Sequence, residues 1–330
     1  MPRKNSTLIT IILAVVLAIA LIAWTIWDLD FSEIWQQLSR ANPWLVAASF
    51  FMGLFGYFLR SERWKLLQKP IGYQVSSINT FIAVCMNYFW NLIIPRSGEV
   101  ARCTTLYATE KVPVNKALGT VISERLLDMI CLGIFGILAL ILQFGAFVKF
   151  FEDTIGTYDL ATITIYLSIL GILGIGTFIA LWYVRHKIQK LKYFNWFKNL
   201  LMGIINGMQS ILVMKDRGLF ILYTIGIWVV YFLMTYILVF ALPETSHINL
   251  SQGLFLFLVG GLGMVVPASG GIGSFHAAMR LGFVILGMSP ELGVTFGFLV
   301  HTPHMFLSLI SGLFAMGYLA MQRKGTSTPQ

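Results

Sequence analysis

Residues 8–27 run for a full bilayer's length without a charged side chain. At 1.5 Å per residue a helix of that length covers about 30 Å, the thickness of the hydrocarbon core of a membrane. Five further stretches are comparably apolar: 44–60, 117–144, 160–184, 219–242 and 292–321. Only 11% of the 330 residues are charged and mean hydropathy is +0.79. A soluble chain would carry about 25% charged residues. The fold class is therefore an all-α polytopic membrane protein with about six full spans. The first stretch is too long for a signal-peptide core and lacks a small-x-small site before Asp28, so it reads as a retained anchor.

The net charge of +9 does not point to nucleic acid, because the Lys and Arg residues sit in short segments beside apolar stretches. That is the distribution of the positive-inside rule. Arg3 and Lys4 put the N-terminus in the cytoplasm, and Asp28, Asp30 and Glu33 fall outside. Arg60, Arg63, Lys65 and Lys69 read as inside-facing flanks of the second span. Lys149, Glu152, Asp153 and Asp159 then fall outside, the Lys-rich loop from Arg185 inside, Glu244 outside and the C-terminus inside, provided that residues 81–94 enter and turn back. These counts place the chain in the cell membrane as a multi-pass protein with both termini cytoplasmic. Cys85, Cys103 and Cys131 lie in or beside apolar segments without metal spacing, and read as small buried residues. No metal site and no cofactor are expected.

Two apolar segments are broken, 81–94 at Pro95 and 250–287 by a Pro and Gly cluster at 267–273. Ile93-Ile94-Pro95-Arg96-Ser97-Gly98 and Val265-Val266-Pro267-Ala268-Ser269-Gly270 share one pattern, 172 positions apart. With one copy entering from each side, they predict two re-entrant hairpins in an inverted repeat, with half-repeats at about 44–145 and 218–320. Proline lacks the N–H and glycine permits turns closed to other residues, so backbone is exposed at such breaks. In lipid that survives only where protein or water satisfies it. Helix starts after Ser97 and after Gly273-Ser274, with Ser as N-cap, would aim positive dipole ends at an anion. The bland alternative is a pair of kinks that only shape the bundle.

The chain reads as one transmembrane domain, residues 1–324, with a disordered tail at 325–330. An amphipathic segment at 187–217 lies in the cytoplasm, packed on the bundle or on acidic lipid. Asp30-Phe31-Ser32-Glu33 opens a short outer helix that ends before Pro43.

The stretch 120–128 carries Glu124, Arg125 and Asp128 inside an apolar helix that starts at Pro113 to Asn115. One such charge at a bilayer centre costs about 2.5–3.5 kcal/mol, so the three must find partners, expected to be Arg96, Glu99 and Arg102. They form either a salt-bridge lock between helices or a polar path for a lipid headgroup. His276, just past the second break, binds an anion, takes a proton or serves packing. His301 and His304 flank Pro303 with no metal ligands nearby in sequence. No catalytic motif is present, and Ser97 and Ser269 have no nearby base, so no enzyme activity is expected.

These blocks resemble the family named for the lysylphosphatidylglycerol synthase transmembrane region, whose members are flippase-like. The resemblance rests on Pro95, Gly98, Glu99 and Arg102, on Glu124, Arg125 and Asp128, and on Pro267, Gly270, Gly271 and Gly273. It runs from about Trp24 to Gly317. Similar proteins carry Glu after the glycine block where this chain has His276. The resemblance implies the translocation half without the soluble aminoacyl-transfer domain. It also implies movement of an aminoacyl-phospholipid or a polyprenyl-linked glycan between leaflets, with membrane lipids as partners. The alternative is a non-catalytic partner of a glycosyltransferase or lipid-modifying enzyme.

Overall fold

The computed structural model describes residues 4–155, 214–266 and 268–326. The stretch 160–184, almost all of the amphipathic segment 187–217 and Pro267 fall outside them. Eleven α-helices follow along the described chain: α1 (Lys4–Ile26), α2 (Phe31–Ser39), α3 (Pro43–Gln68), α4 (Ser77–Ile93), α5 (Gly98–Glu110), α6 (Val114–Leu142), α7 (Phe144–Ile155), α8 (Arg217–Tyr236), α9 (Leu250–Gly263), α10 (Ser274–Ile285) and α11 (Pro290–Thr326). Four stretches, Pro43–Ile71, Val114–Leu142, Arg217–Ala241 and Pro290–Gln322, are long and apolar enough to cross a membrane. Large apolar side chains face outward along them, among them Ile134, Ile137 and Ile141 on α6. Lipid accommodates such a surface where water would not.

Local chemistry fixes the helix starts. Asp30 accepts from the N–H of Ser32 at 2.8 Å and opens α2. Asn42 does the same for Trp44 ahead of Pro43, the first residue of α3. Ser76 caps α4 through Asn79, and Asn249 with Gln252 forms a full capping box on α9. Each side chain satisfies N–H groups that a helix start leaves unpaired.

Two helical hairpins organise the bundle, and cross-links between helix ends show where each is rooted. The N–H of Ser76 donates to Glu110 at 2.9 Å, so α4 begins where α5 ends. Lys65 meets Ser77 there at 2.7 Å, and Gln322 at the end of α11 meets Asn79. From that end α6 runs 29 residues, about 43 Å, to the opposite end. There Gln143 donates to Ser251 at 2.8 Å, at the root of α9. The α9–α10 hairpin is thus rooted opposite α4–α5, and the tips meet. The guanidinium of Arg96 holds the carbonyl of Val265 at 3.2 Å, and Gly270 packs on Leu92. At the second end, Arg280 binds Asp28 at 2.6 Å and the carbonyl of Thr25 at 2.8 Å, holding α1 against α10. That hydrogen bond keeps the Asp28 carboxyl below its usual range.

Two expectations are corrected. The second span does not end at Arg60: α3 continues to Gln68, and Arg60 and Arg63 are buried. Residues 144–155 form α7, whose Phe147 packs on Phe255. The last helix reaches Thr326, two residues into the stretch expected to be disordered.

Candidate functional site

Glu124 stands near the middle of α6, wholly buried. Its carboxylate meets Arg60 at 3.0 Å and Arg63 at 2.9 Å from α3, and Arg102 at 2.8 Å from α5. One turn on, Asp128 meets Arg63 at 2.8 Å and Arg60 at 3.1 Å. Arg125 turns to Glu99 at 3.0 Å and lies 3.9 Å from Asp128. The i, i+4 spacing of Glu124 and Asp128 puts both carboxylates on one helix face, where α3 and α5 converge. Among the described residues four arginines face three carboxylates, leaving one positive charge in excess.

The cluster divides into two parts. Arg63, Arg102 and Glu124 are sealed from solvent, and the Arg102 guanidinium lies 4.7 Å from the ring centre of Trp64. Trp64 in turn donates to Thr120 at 2.9 Å. This part locks α3, α5 and α6. Arg60, Arg125 and Asp128 line a cavity of about 440 Å³ inside the bundle. Tyr88 and Tyr231 accept from Arg60 at 3.2 Å and 3.4 Å and share a hydrogen bond of 2.8 Å. The ring of Tyr57 stacks on Tyr88 at 3.9 Å. Trp228, Phe257 and Met264 supply apolar walls. Charged and phenolic groups thus converge in an otherwise apolar chamber, the composition of a small-molecule site.

The second break borders the same cavity through Gly270, His301 and His304. Gly270, Gly271 and Gly273 all have positive φ, and a side chain at Gly273 would collide with the backbone of α1. The carbonyl of Gly270 lies 2.8 Å from His301 Nε2. Around this turn Ser269 Oγ, both ring nitrogens of His276, His301 Nδ1 and His304 Nε2 have no hydrogen-bond partner among the described residues. A buried polar atom left so costs about 1–3 kcal/mol, which calls for a reason.

Glu99, Arg102, Glu124, Arg125 and Asp128 therefore form one network, as their sequence spacing suggests. Arg96 stays out of it: it is exposed, with φ +62°, and spans the gap between the two breaks. His276 lies beside His301, ring centres 5.3 Å apart, rather than in the charge cluster. Pro95, Ser97 and Gly98 form the first turn, but Ser97 does not cap α5. Its hydroxyl donates to the carbonyls of Trp90 and Ile94 instead. Gly98 is required for another reason than access: its N–H donates to Asn91 at 2.9 Å, and a side chain there would strike α4. Ser274 does not cap α10 either; Gly273 holds that position.

Sequence reasoning missed Arg60, Arg63, Tyr57, Tyr88 and Tyr231. A signal for the first two existed, since Pro43 is followed by no further proline until Pro70 and α3 can continue that far. The tyrosines sit at helical spacings common to any packed face and carry no such mark.

No solved structure matches this chain. It is 30% identical over 129 residues to UPF0104 membrane protein MJ1595 of Methanocaldococcus jannaschii, covering 38% of this chain and 37% of that one. It is 25% identical over 347 residues to Glycosyltransferase AglD of Haloferax volcanii, covering 95% of this chain and 54% of that one. The chain thus spans about half or less of the length of these relatives. A profile of the lysylphosphatidylglycerol synthase TM region matches residues 11–312, and the chain belongs to that family of membrane proteins.

Proposed function

We propose that this protein moves a lipid with a phosphate-bearing headgroup between membrane leaflets, without chemistry of its own. The observation that carries the reading is the cavity where Arg60 and Arg125 face the meeting point of two broken hairpins. Arginine presents a planar fork that grips phosphate oxygens, and the cluster's excess charge favours an anion. The aromatic and methionine walls suit the apolar part of the lipid next to its headgroup. The opposed roots of the hairpins support an inverted repeat that opens to each leaflet in turn. An aminoacyl-phospholipid and a polyprenyl-linked glycan both carry the required phosphate.

A headgroup-borne diazirine lipid, photolysed in membranes and mapped by mass spectrometry, tests this placement. Labels are expected on Met129, Trp228 or Met264 in the cavity. Labels confined to the outer apolar groove at Phe51, Phe55 and Phe314 would remove the cavity from the account. The proposed orientation puts Gln74 in the cytoplasm of the cell and Glu33 outside. An impermeant maleimide should therefore reach a cysteine at Glu33 and not one at Gln74.

A second reading has its own support. The match to Glycosyltransferase AglD covers nearly all of this chain but about half of that protein. This chain would then act as a non-catalytic membrane partner of a glycosyltransferase or lipid-modifying enzyme. Such a partner needs its buried lock but not the cavity-facing Arg125.

A further inference from the structure

We infer that His276, His301 and His304 form a proton-carrying site that couples proton movement to movement of the lipid anion. The inference rests on the headgroup reading of the cavity and goes beyond it.

The three imidazoles come from two adjoining elements at the second break. His276 lies in the first turn of α10. His301 and His304 lie on α11, one turn apart, on either side of Pro303. His276 and His301 meet edge to face with ring centres 5.3 Å apart. His276 is 3% exposed, yet neither of its ring nitrogens has a partner among the described residues. His301 uses Nε2 on the carbonyl of Gly270, while its Nδ1 and His304 Nε2 have no partner among the described residues. Histidines kept only for packing would be expected to satisfy these atoms. Imidazole is also the side chain whose ordinary titration falls near neutrality.

What faces the cluster decides how it titrates. From α9 come only apolar residues and glycines, and no titratable side chain lies on that helix. On α10 the remaining ionisable group is Arg280, which is turned away onto Asp28. On α11 Glu291 stands about three turns before His301. From α1 the contact at Gly273 is with Ala18, Leu21 and Ile22, none of them ionisable. α3 brings Gly53 against His304, with Tyr57 held on Ser308, while α4 and α8 bring Tyr88 and Tyr231. The remaining charges in the cavity are Arg60, Arg125 and Asp128, part of a cluster already one positive charge in excess. Among the described residues no carboxylate is in contact with these imidazoles.

A proton on this cluster therefore adds to an existing positive excess when the cavity is empty. A seated phosphate monoanion cancels that excess. The anion then favours the proton, and by linkage the proton favours the anion to the same degree. A ring nitrogen takes the proton from one aqueous side and returns it to the other as the hairpins exchange access. One monoanionic lipid and one proton cross together, with no net charge moved.

The test uses the full chain in phosphatidylcholine vesicles carrying fluorescent phosphatidylglycerol or a fluorescent polyprenyl phosphate-linked mannose. Membrane potential is clamped with potassium and valinomycin, and outer-leaflet label is read by dithionite quenching against protein-free vesicles. At one proton per lipid, a gradient of about one pH unit should hold about a tenfold excess of label in the leaflet facing the alkaline side. That ratio should not change when the clamped potential is varied. His276→Gln should abolish the excess. Label that exchanges but stays evenly divided under the gradient would overturn proton coupling and leave the headgroup site standing. The same excess in His276→Gln as in the parent would also overturn it. No exchange of either probe, with or without a gradient, would overturn the headgroup reading and this inference with it.

Discussion

Glu124→Ala is expected to cost the protein its fold. The substitution leaves Arg63 and Arg102 sealed in the bundle without the carboxylate that both share. Removing one partner of a buried ion pair costs about 3–5 kcal/mol, because the other charge stays desolvated and unpaired. A whole domain is stable by only about 5–15 kcal/mol. Fluorescence-detected size exclusion in detergent should show loss of the monodisperse peak, or a strongly lowered Tm in what remains. Combining Glu124→Gln with Arg102→Met should recover part of the loss, since removing both charges is cheaper than stranding one. A Glu124→Ala protein that stays monodisperse with parental Tm would mean that the lock does not hold α3, α5 and α6 together.

Arg125→Ala is expected to behave differently. Its side chain is 36% exposed, lines the cavity and is tethered to Glu99 rather than sealed with Glu124. The variant should insert and stay monodisperse, because neither the Glu124 carboxylate nor its three arginines lose a partner. Headgroup photolabelling and leaflet exchange should fall to the level of protein-free membranes. Arg125→Lys should recover only part, since an ammonium cannot present two parallel donors to a phosphate. Full exchange by Arg125→Ala would show that the cavity-facing charge does not hold the headgroup.

The contrast between these two positions was only half legible in the sequence. Charges inside an apolar helix announced that Glu124, Arg125 and Asp128 need partners. Glu99 and Arg102 followed from the neighbouring break. Arg60 and Arg63 did not, because the positive-inside rule scores cations by their place beside a span and carries no knowledge of what packs against them. Residues 60–63 fit that rule as a loop and fit α3 equally well as buried helix. Only the carboxylates of α6 decide between the two. The breaks were legible because Pro and Gly act locally, and so were the cap at Asp30 and the start of α6 after Pro113. The role of Gly98 was not: its constraint is a backbone approach to α4 seven residues earlier, which no local rule contains. The tyrosine lining of the cavity likewise exists only once α3, α4 and α8 are packed.

The most direct measurement is leaflet exchange by the purified full chain in liposomes, followed by dithionite quenching of fluorescent phosphatidylglycerol and of a fluorescent polyprenyl phosphate-linked mannose. The account predicts that at least one probe exchanges faster than in protein-free vesicles, and that Arg125→Ala removes the difference. Exchange of both probes at the protein-free rate, by protein that is monodisperse before and after reconstitution, would contradict it.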